Sequence, residues 1–225
     1  ASIRKHIDEA ALRVGRNPGS VELMAVLKYA PLDDVLALLE SGQVRHAGDN
    51  RVQDAEKRES RIGNRESNIE YHLIGHLQSN KARKAVQVFD WIDSVDSLEL
   101  AERLEREAAA LGKTLNVLAQ VQPVPNPGQS GVQPERLGEL LERMRRLPHL
   151  KVRGLMAIAP MTDPVEAVRP HFRRMKQVLD EHFAGEEAPV LSMGMSRDYE
   201  AATEEGATLV RIGSLLFGET PSTLR

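Results

Sequence analysis

The sequence predicts a single (β/α)8 barrel of the α/β class, and three observations carry that prediction. Short apolar runs alternate with amphipathic helical stretches eight times along the 225 residues. Strict alternation implies parallel strands joined by crossover helices. No shift of composition divides the chain, and a chain of this length holds eight such units closed on themselves. An open doubly wound sheet is the alternative, but no G-x-G-x-x-G follows any strand. Residues 1–225 are therefore expected to form one domain, with an extra helix ahead of the first strand.

Residues 2 to 14 place Ile3, Ile7, Ala10, Ala11 and Val14 at helical spacing behind a Ser2 cap, and Asn17-Pro18-Gly19 ends that helix. Val21 to Leu27 reads as a strand buried on both faces, running into Lys28 and closed by Pro31. Asp33-Asp34 load the first turn of a helix with Val35, Leu38 and Leu39 inward, stopped by Gly42. Val44 to Ala47 is a second strand, after which Gly48-Asp49-Asn50 opens a helix and residues 61–68 form a polar loop. Tyr71 to Gly75 is the third strand, with a helix from about Gln78. Trp91 to Val95 is the fourth, and Ser97 caps a helix ending near Gly112.

Thr114 to Val121 is the fifth strand. The stretch after it, Gln122 to Gly131, holds three prolines and two glycines and suits neither a helix nor a central strand. A helix from about Pro134 to Arg146 leads to the sixth strand, Val152 to Ile158, and Asp163-Pro164 starts a long helix to about Phe183. Pro189 to Met193 is the seventh strand, Gly194-Met195-Ser196 a turn, and Arg197 to Glu205 a helix. Ala207 to Ile212 is the eighth strand, ended by Gly213-Ser214.

The bulk chemistry excludes several function classes. A formal net charge of −3 gives no electrostatic reason to expect nucleic acid or an anionic membrane. The basic clusters Lys81 to Lys84 and Arg143 to Arg146 read as solvated helix faces. The absence of cysteine rules out disulfides and thiolate metal sites and fits a reducing cytoplasm. No apolar run approaches the roughly 20 residues of a membrane span, and the N-terminus lacks a signal-peptide core. A cytoplasmic protein without membrane contact is expected.

In a barrel of this kind function sits where the strands end at their C-termini. Those ends gather Lys28, Asn50, His72 to His76, Met195-Ser196 and Arg211 with Gly213-Ser214. A lysine ending a buried strand is expected to be desolvated and hence nucleophilic; a snorkelling lysine is the plainer reading. Ser196 and Gly213-Ser214 follow strands seven and eight, the usual phosphate position of this fold, although Ser196 is also a natural helix cap. Arg211 lies in an apolar strand whose core is not expected to supply a partner, so it is expected to point at something bound. His72 and His76 span about 13 Å on a strand. Two nitrogens on one zinc at about 2.0 Å each cannot lie so far apart. One packed and one loop histidine, and no metal site, are expected. Lysine plus a phosphate cradle suggests a phosphorylated carbonyl compound held as a Schiff base. Pyridoxal 5′-phosphate and the phosphosugar of a lysine-dependent aldolase both fit.

The motifs Ala25 to Lys28, Gly48-Asp49-Asn50-Arg51-Val52-Gln53, His72 to Lys81, Leu191 to Ser196, and Val210 to Gly213 with Phe217-Gly218 resemble those of the YggS/PROSC family of pyridoxal phosphate homeostasis proteins. The resemblance covers nearly the whole chain. It implies a barrel like the N-terminal domain of bacterial alanine racemase, with pyridoxal 5′-phosphate as cofactor. By that resemblance Lys28 carries the Schiff base, Arg211 meets the pyridine nitrogen, and Ser196, Gly213 and Ser214 hold the phosphate. Asn50 would lie beside the ring, with His72 and Met195 completing the site. Leu27 stands where the family usually has serine, Asp49 where it has glutamate, and Gln129-Ser130 where a lysine precedes Gly131.

The implied function is intracellular buffering or delivery of the cofactor without efficient catalysis; an amino-acid racemase using the same cofactor is the rival. Racemisation needs a base on each face of the substrate. In alanine racemases the second is a tyrosine from another subunit's extra domain, which this chain is expected to lack. Tyr29, Tyr71 and Tyr199 are poorly placed to replace it. The expected partners are the cofactor and cofactor-dependent apoenzymes, and the chain is expected to be a monomer.

Overall fold

A computed structural model of the chain describes residues 2–28, 30–62, 69–126 and 128–218. Helix α1 (Ser2–Arg13) precedes strand β1 (Glu22–Val26). The repeat then runs through α2 (Leu32–Glu40), β2 (His46–Asp49), α3 (Val52–Ile62), β3 (Glu70–Leu73), α4 (Ala82–Val88), β4 (Trp91–Val95) and α5 (Leu98–Ala110). The second half comprises β5 (Leu115–Val121), α6 (Pro134–Met144), β6 (Leu150–Ala157), α7 (Arg169–His182), β7 (Val190–Met195), α8 (Tyr199–Glu204), β8 (Leu209–Ile212) and α9 (Ser214–Phe217). The strands are parallel and close in chain order, β8 returning to pair with β1, which is the expected (β/α)8 barrel.

Side chains alternate across each strand, so each strand serves two cores. Leu23, Ala25 and Leu27, then Ala47, Tyr71 and Leu73, then Val210 and Ile212 face the helices and join one continuous buried shell. The complementary set fills the barrel interior in tiers drawn from alternate strands, as this fold requires. The registers place His46, Trp91 and Leu209 at the foot. Met24, His72, Leu118 and Ser192 follow, then Gly48, Asp93, Met156 and Arg211. Trp91, Leu118 and Met156 form the apolar part of this interior, with Ile158 and Val190 against them. Met24 and Leu209 add to it, and His46, His72, Asp93, Ser192 and Arg211 make the remainder polar.

Helix α1 buries Ile7, Ala10 and Ala11. It is fastened by Arg4, which donates to the carbonyls of Val21 at 2.6 Å and Pro18 at 2.8 Å. Ser2 is its first helical residue rather than a cap, and Val14 lies beyond its end, exposed.

Two glycines shift the expected boundaries. Gly48 reads as a breaker, yet it continues β2, because a Cβ there would lie 2.6 Å from Met24 Sδ. The neighbouring side chain fills the space that a residue's own would occupy. Asp49 is therefore the last residue of a strand, not the start of a helix. Gly194 likewise stays within β7, at φ +89° and with a Cβ position 2.4 Å from Ala202 Cβ, so the turn falls after Met195. The helix expected from Asp163-Pro164 begins instead as a 3₁₀ turn, Val165–Val168, and becomes α-helical at Arg169. No described helix is long and apolar enough to cross a membrane.

Candidate functional site at the barrel mouth

The C-terminal rim carries most of the expected residues. β1 makes its last ladder contact through Leu27 N–H, which donates to the carbonyl of Gly48 at 2.9 Å, and Ala30 N–H closes a turn onto Leu27 at 3.0 Å. That turn lifts Lys28 onto the rim, where it is exposed. The burial expected at a strand end is therefore not present. Leu27 points the other way and is fully buried in the outer shell, which explains an apolar residue before the lysine.

Lys28 shares the alternation of Met24 and Val26, and lies two residues beyond the ladder pair Val26–Gly48, as Asn50 does on the neighbouring strand. Asn50 is fixed by its backbone: a Cβ on Gly75 would lie 2.1 Å from the Asn50 carbonyl oxygen. Only glycine permits that approach. The side-chain oxygen of Asn50 is buried and has no hydrogen-bond partner among the described residues. Asp49, one residue earlier, faces the outer shell. It accepts from Arg58 Nη1 at 2.8 and 2.9 Å and from the Tyr71 hydroxyl at 2.5 Å. Burial raises its pKa, against the opposing pull of Tyr71 and Arg58. Its role is to pin β2 to α3, which the shorter carboxylate performs without entering the mouth.

On the opposite arc, Ser196 and Gly213 meet: the Gly213 N–H donates to Ser196 Oγ at 3.3 Å, joining the turns after β7 and β8. The Cα of Gly213 brings its backbone onto Val26, with a Cβ position 3.4 Å from the Val26 carbonyl oxygen. The turn thus lies two residues from Lys28. Ser214 is exposed at the first position of α9. Ser196 is not a helix cap, because α8 begins later, at Tyr199, and Asp198 precedes it without a side-chain cap bond. Asp198 instead accepts from the Met195 N–H at 2.6 Å, and burial raises its pKa. Met195 is the half-buried ladder partner of Arg211.

Arg211 is 4% exposed and, contrary to expectation, the core does supply partners. Its Nη1 donates to Ser192 Oγ at 2.7 Å and its Nη2 to the Ala157 carbonyl at 2.9 Å. Burial lowers its pKa to about 10, with Asp93 and Asp198 opposing, so it stays charged at neutral pH. Asp93 was not singled out by sequence. The alternation Trp91-Ile92-Asp93, apolar shell residue in the middle, was the available signal for an inward carboxylate. His72 is a tier below the rim with both nitrogens engaged, Nδ1 with Asp93 at 3.0 and 3.2 Å and Nε2 with His46 Nδ1 at 3.0 Å. His76 is on the loop, as expected, with Nδ1 3.0 Å from Ser130 Oγ.

The proline-rich segment after β5 folds back on the mouth. Gln120 Nε2 donates to the Ser130 carbonyl at 2.9 Å, and Gln122 Nε2 to those of Asn126 at 3.0 Å and Gln129 at 2.6 Å. Gln129 Nε2 reaches across to the Ile158 carbonyl at 3.0 Å. A cavity of about 430 Å³ opens on the β2–β3 side of the rim, lined by Asn50, Arg51, Gln53, His76, Gln78 and Lys81. Arg51 and Lys81 add positive charge there, partly offset by Asp54, which lines the same cavity. Tyr29 and residues 63–68 fall outside the described residues.

With this geometry in place, comparison with known proteins is specific. Residues 1–221 match the family model described as alanine racemase, N-terminal domain. A pyridoxal phosphate homeostasis protein of Pseudomonas aeruginosa is 40% identical over 218 residues, 97% of this chain and 93% of that protein. The chain belongs to the pyridoxal phosphate homeostasis protein family. A relative of the same name from Haemophilus influenzae is 36% identical over 219 residues, covering 96% of this chain and 92% of its own length. Among solved structures, PipY of Synechococcus elongatus with pyridoxal phosphate bound is 39% identical, with a TM-score of 0.79 over 94% of this chain and 100% of that one. An alanine racemase from Clostridium difficile shares the fold at TM-score 0.69 and 18% identity; the match spans 97% of this chain and 57% of the racemase.

Proposed function

We propose that this chain binds pyridoxal 5′-phosphate covalently through Lys28 and buffers or delivers it in the cytoplasm, to cofactor-dependent apoenzymes. The observation that carries the reading is the convergence of Lys28, Asn50 and the Ser196–Gly213 junction on one rim, above a buried Arg211. The donor set fits the cofactor's chemistry. The Lys28 amine attacks the aldehyde carbon, a C=N bond forms, and the carbonyl oxygen leaves as water. Ser196, Ser214 and the backbone at Gly213 suit a phosphate, and the unpaired Asn50 oxygen awaits a donor. His72 acts from beneath, through Asp93, rather than at the rim.

The carrier reading is favoured over a racemase by the two tyrosines among the described residues and by the arginine. The Tyr71 hydroxyl is spent on Asp49 in the outer shell, and that of Tyr199 lies 3.1 Å from His6 Nδ1 under α1. Arg211 can only donate, so against a pyridine nitrogen it leaves that nitrogen unprotonated and the ring a weaker electron sink.

The test is an absorption spectrum after incubation with pyridoxal 5′-phosphate. The parent protein gains the visible band of a lysine-bound cofactor, which borohydride bleaches. Lys28→Ala lacks the band but keeps the parent circular dichroism, because an exposed amine supports no core contact. A parent that stays colourless overturns the reading. Turnover of D- or L-alanine at about 1 s⁻¹ or faster, the lower edge of ordinary enzyme rates, overturns the carrier part alone.

A further inference from the structure

At the opposite end of the barrel, His46 and Glu70 begin β2 and β3 and are ladder partners, and His72 follows Glu70 on the same face of β3. One nitrogen from each histidine and a Glu70 carboxylate oxygen all lie within 4.8 Å of one another. We propose that His46, Glu70 and His72 form a binding site for a divalent transition-metal ion with zinc-like ligand preference. The site lies at the foot of the barrel, away from the Lys28 rim, and meets the cofactor machinery only through the His72–Asp93 pair.

The surroundings prepare these side chains as ligands. The Asp93 carboxylate can only accept, so His72 carries its proton on Nδ1, 3.0 Å from Asp93 Oδ1, and Nε2 is left as a bare lone pair. A carboxylate behind the imidazole is the arrangement that orients and strengthens histidine ligands. The ring itself is clamped, stacked on Trp91 at 4.9 Å between centroids and 17° between planes. Trp91 Nε1 also donates to one oxygen of Glu70, which holds that carboxylate beside the pair of histidines.

The spacing agrees with the chemistry. His46 Nδ1 and His72 Nε2 are 3.0 Å apart. Two nitrogens at about 2.0–2.1 Å from a tetrahedral ion are separated by roughly 3.3 Å, so a small tilt of the exposed-side ring suffices. His46 now donates its Nδ1 proton to His72; on binding, that proton shifts to Nε2 and both imidazoles coordinate as neutral ligands. Glu70 and Asp93 offset part of the charge of a divalent ion, with the exposed Arg45 and the buried Arg211, which also faces Asp93, in opposition. His46 and Glu70 are half-buried while His72 is fully buried, which provides access from the foot of the barrel. Two imidazoles with one carboxylate suit Zn²⁺, Co²⁺, Ni²⁺ or Cu²⁺ rather than Mg²⁺ or Ca²⁺. Three protein ligands leave a fourth position for water.

The experiment uses the full chain, stripped with a chelator and titrated with Zn²⁺ by calorimetry and with Co²⁺ by visible spectroscopy. One equivalent is expected, with the ligand-field bands of a four- or five-coordinate ion. Glu70→Gln keeps an acceptor for Trp91, and His46→Gln alters only a half-buried position at the foot of the barrel, so both are expected to fold. Each is expected to weaken binding at least 10-fold, as is Asp93→Asn, in line with the 10- to 100-fold effects of losing a partner behind a ligand. Less than half an equivalent taken up by the parent overturns the proposal. So does unchanged affinity in both His46→Gln and Glu70→Gln, which would assign uptake to other histidines. Pyridoxal phosphate binding by Lys28 is read separately, by its own band, so loss of one site does not mimic loss of the other.

Discussion

Replacing Gly75 with alanine tests the mouth most directly. Its Cβ would lie 2.1 Å from the carbonyl oxygen of Asn50 and 2.9 Å from its Cα, where real contacts keep at least 3.0 Å. About 0.9 Å must therefore open between the two backbones. Gly75 cannot retreat, because its carbonyl accepts from Ser94 Oγ at 2.7 Å and the preceding Ile74 N–H is tied to the Asp49 carbonyl at 3.0 Å. Asn50 has to move, and with it one wall of the candidate site. Forcing an atom into a packed region costs about 1–3 kcal/mol. In a domain of this size that lowers Tm by about 2–4 °C per kcal/mol. The control is Gly138→Ala in α6, whose Cβ meets nothing closer than His182 Cε1 at 3.4 Å. It is expected to gain about 0.5–1 kcal/mol from helix propensity. Calorimetry and cofactor titration of the two variants should diverge in sign for stability, with affinity reduced only by Gly75→Ala. Equal melting and unaltered affinity for both would refute the view that Gly75 sets the position of Asn50.

Three further outcomes are expected. Ser196→Ala loses only the 3.3 Å bond from Gly213, a structural cost of about 0.5–1 kcal/mol. Its affinity for pyridoxal 5′-phosphate should nevertheless fall more than its affinity for unphosphorylated pyridoxal, and parallel losses would remove Ser196 from the phosphate site. Arg211→Glu places a buried carboxylate near Asp93 and Asp198 and should abolish the cofactor band, whereas Arg153→Glu, exposed on β6 beside Asn116, should leave it; equal effects in spectra would make Arg211 merely structural. Burial and the neighbouring His72 hold the His46 pKa at about 4, below the ordinary value of 6.5. The folded state thus binds fewer protons than the unfolded one between these values, and stability present above pH 6.5 is lost as pH falls towards 4. Urea unfolding at pH 7.5 and 5.0, with a chelator present, should differ by up to ~2 kcal/mol from this group, and His46→Gln should flatten that difference.

The barrel was legible because strand and helix periods alternate so plainly, and because Lys28 and Arg211 stand out against apolar runs. What escaped was the part decided by neighbours. Gly48 and Gly194 look like breakers in isolation, yet the sheet carries β2 and β7 through them, and Met24 and Ala202 fill the space a side chain would need. Ser196 looks like a cap until the helix is seen to begin three residues later. The sequence separates His72 from His76 but gives no sign that pleating turns His72 inward towards His46, 26 positions away along the chain. Arg211 looked partnerless because its acceptors, a hydroxyl on the neighbouring β7 and the backbone carbonyl that ends β6, carry no charge to mark them.

The segment crossing the mouth from β5 carries a consequence for exchange kinetics. Its ties are amide and hydroxyl bonds to backbone carbonyls and to one imidazole: Gln120, Gln122 and Gln129 as donors, Ser130 against His76. None joins two formal charges, so dissolved ions have little to screen. Opening of this segment should therefore proceed at nearly the same rate in dilute and concentrated salt, and quicken with urea or warming, which compete for amides. How fast this segment yields would then be indifferent to the ionic strength around it, whatever salt does to the charged groups of the mouth beneath.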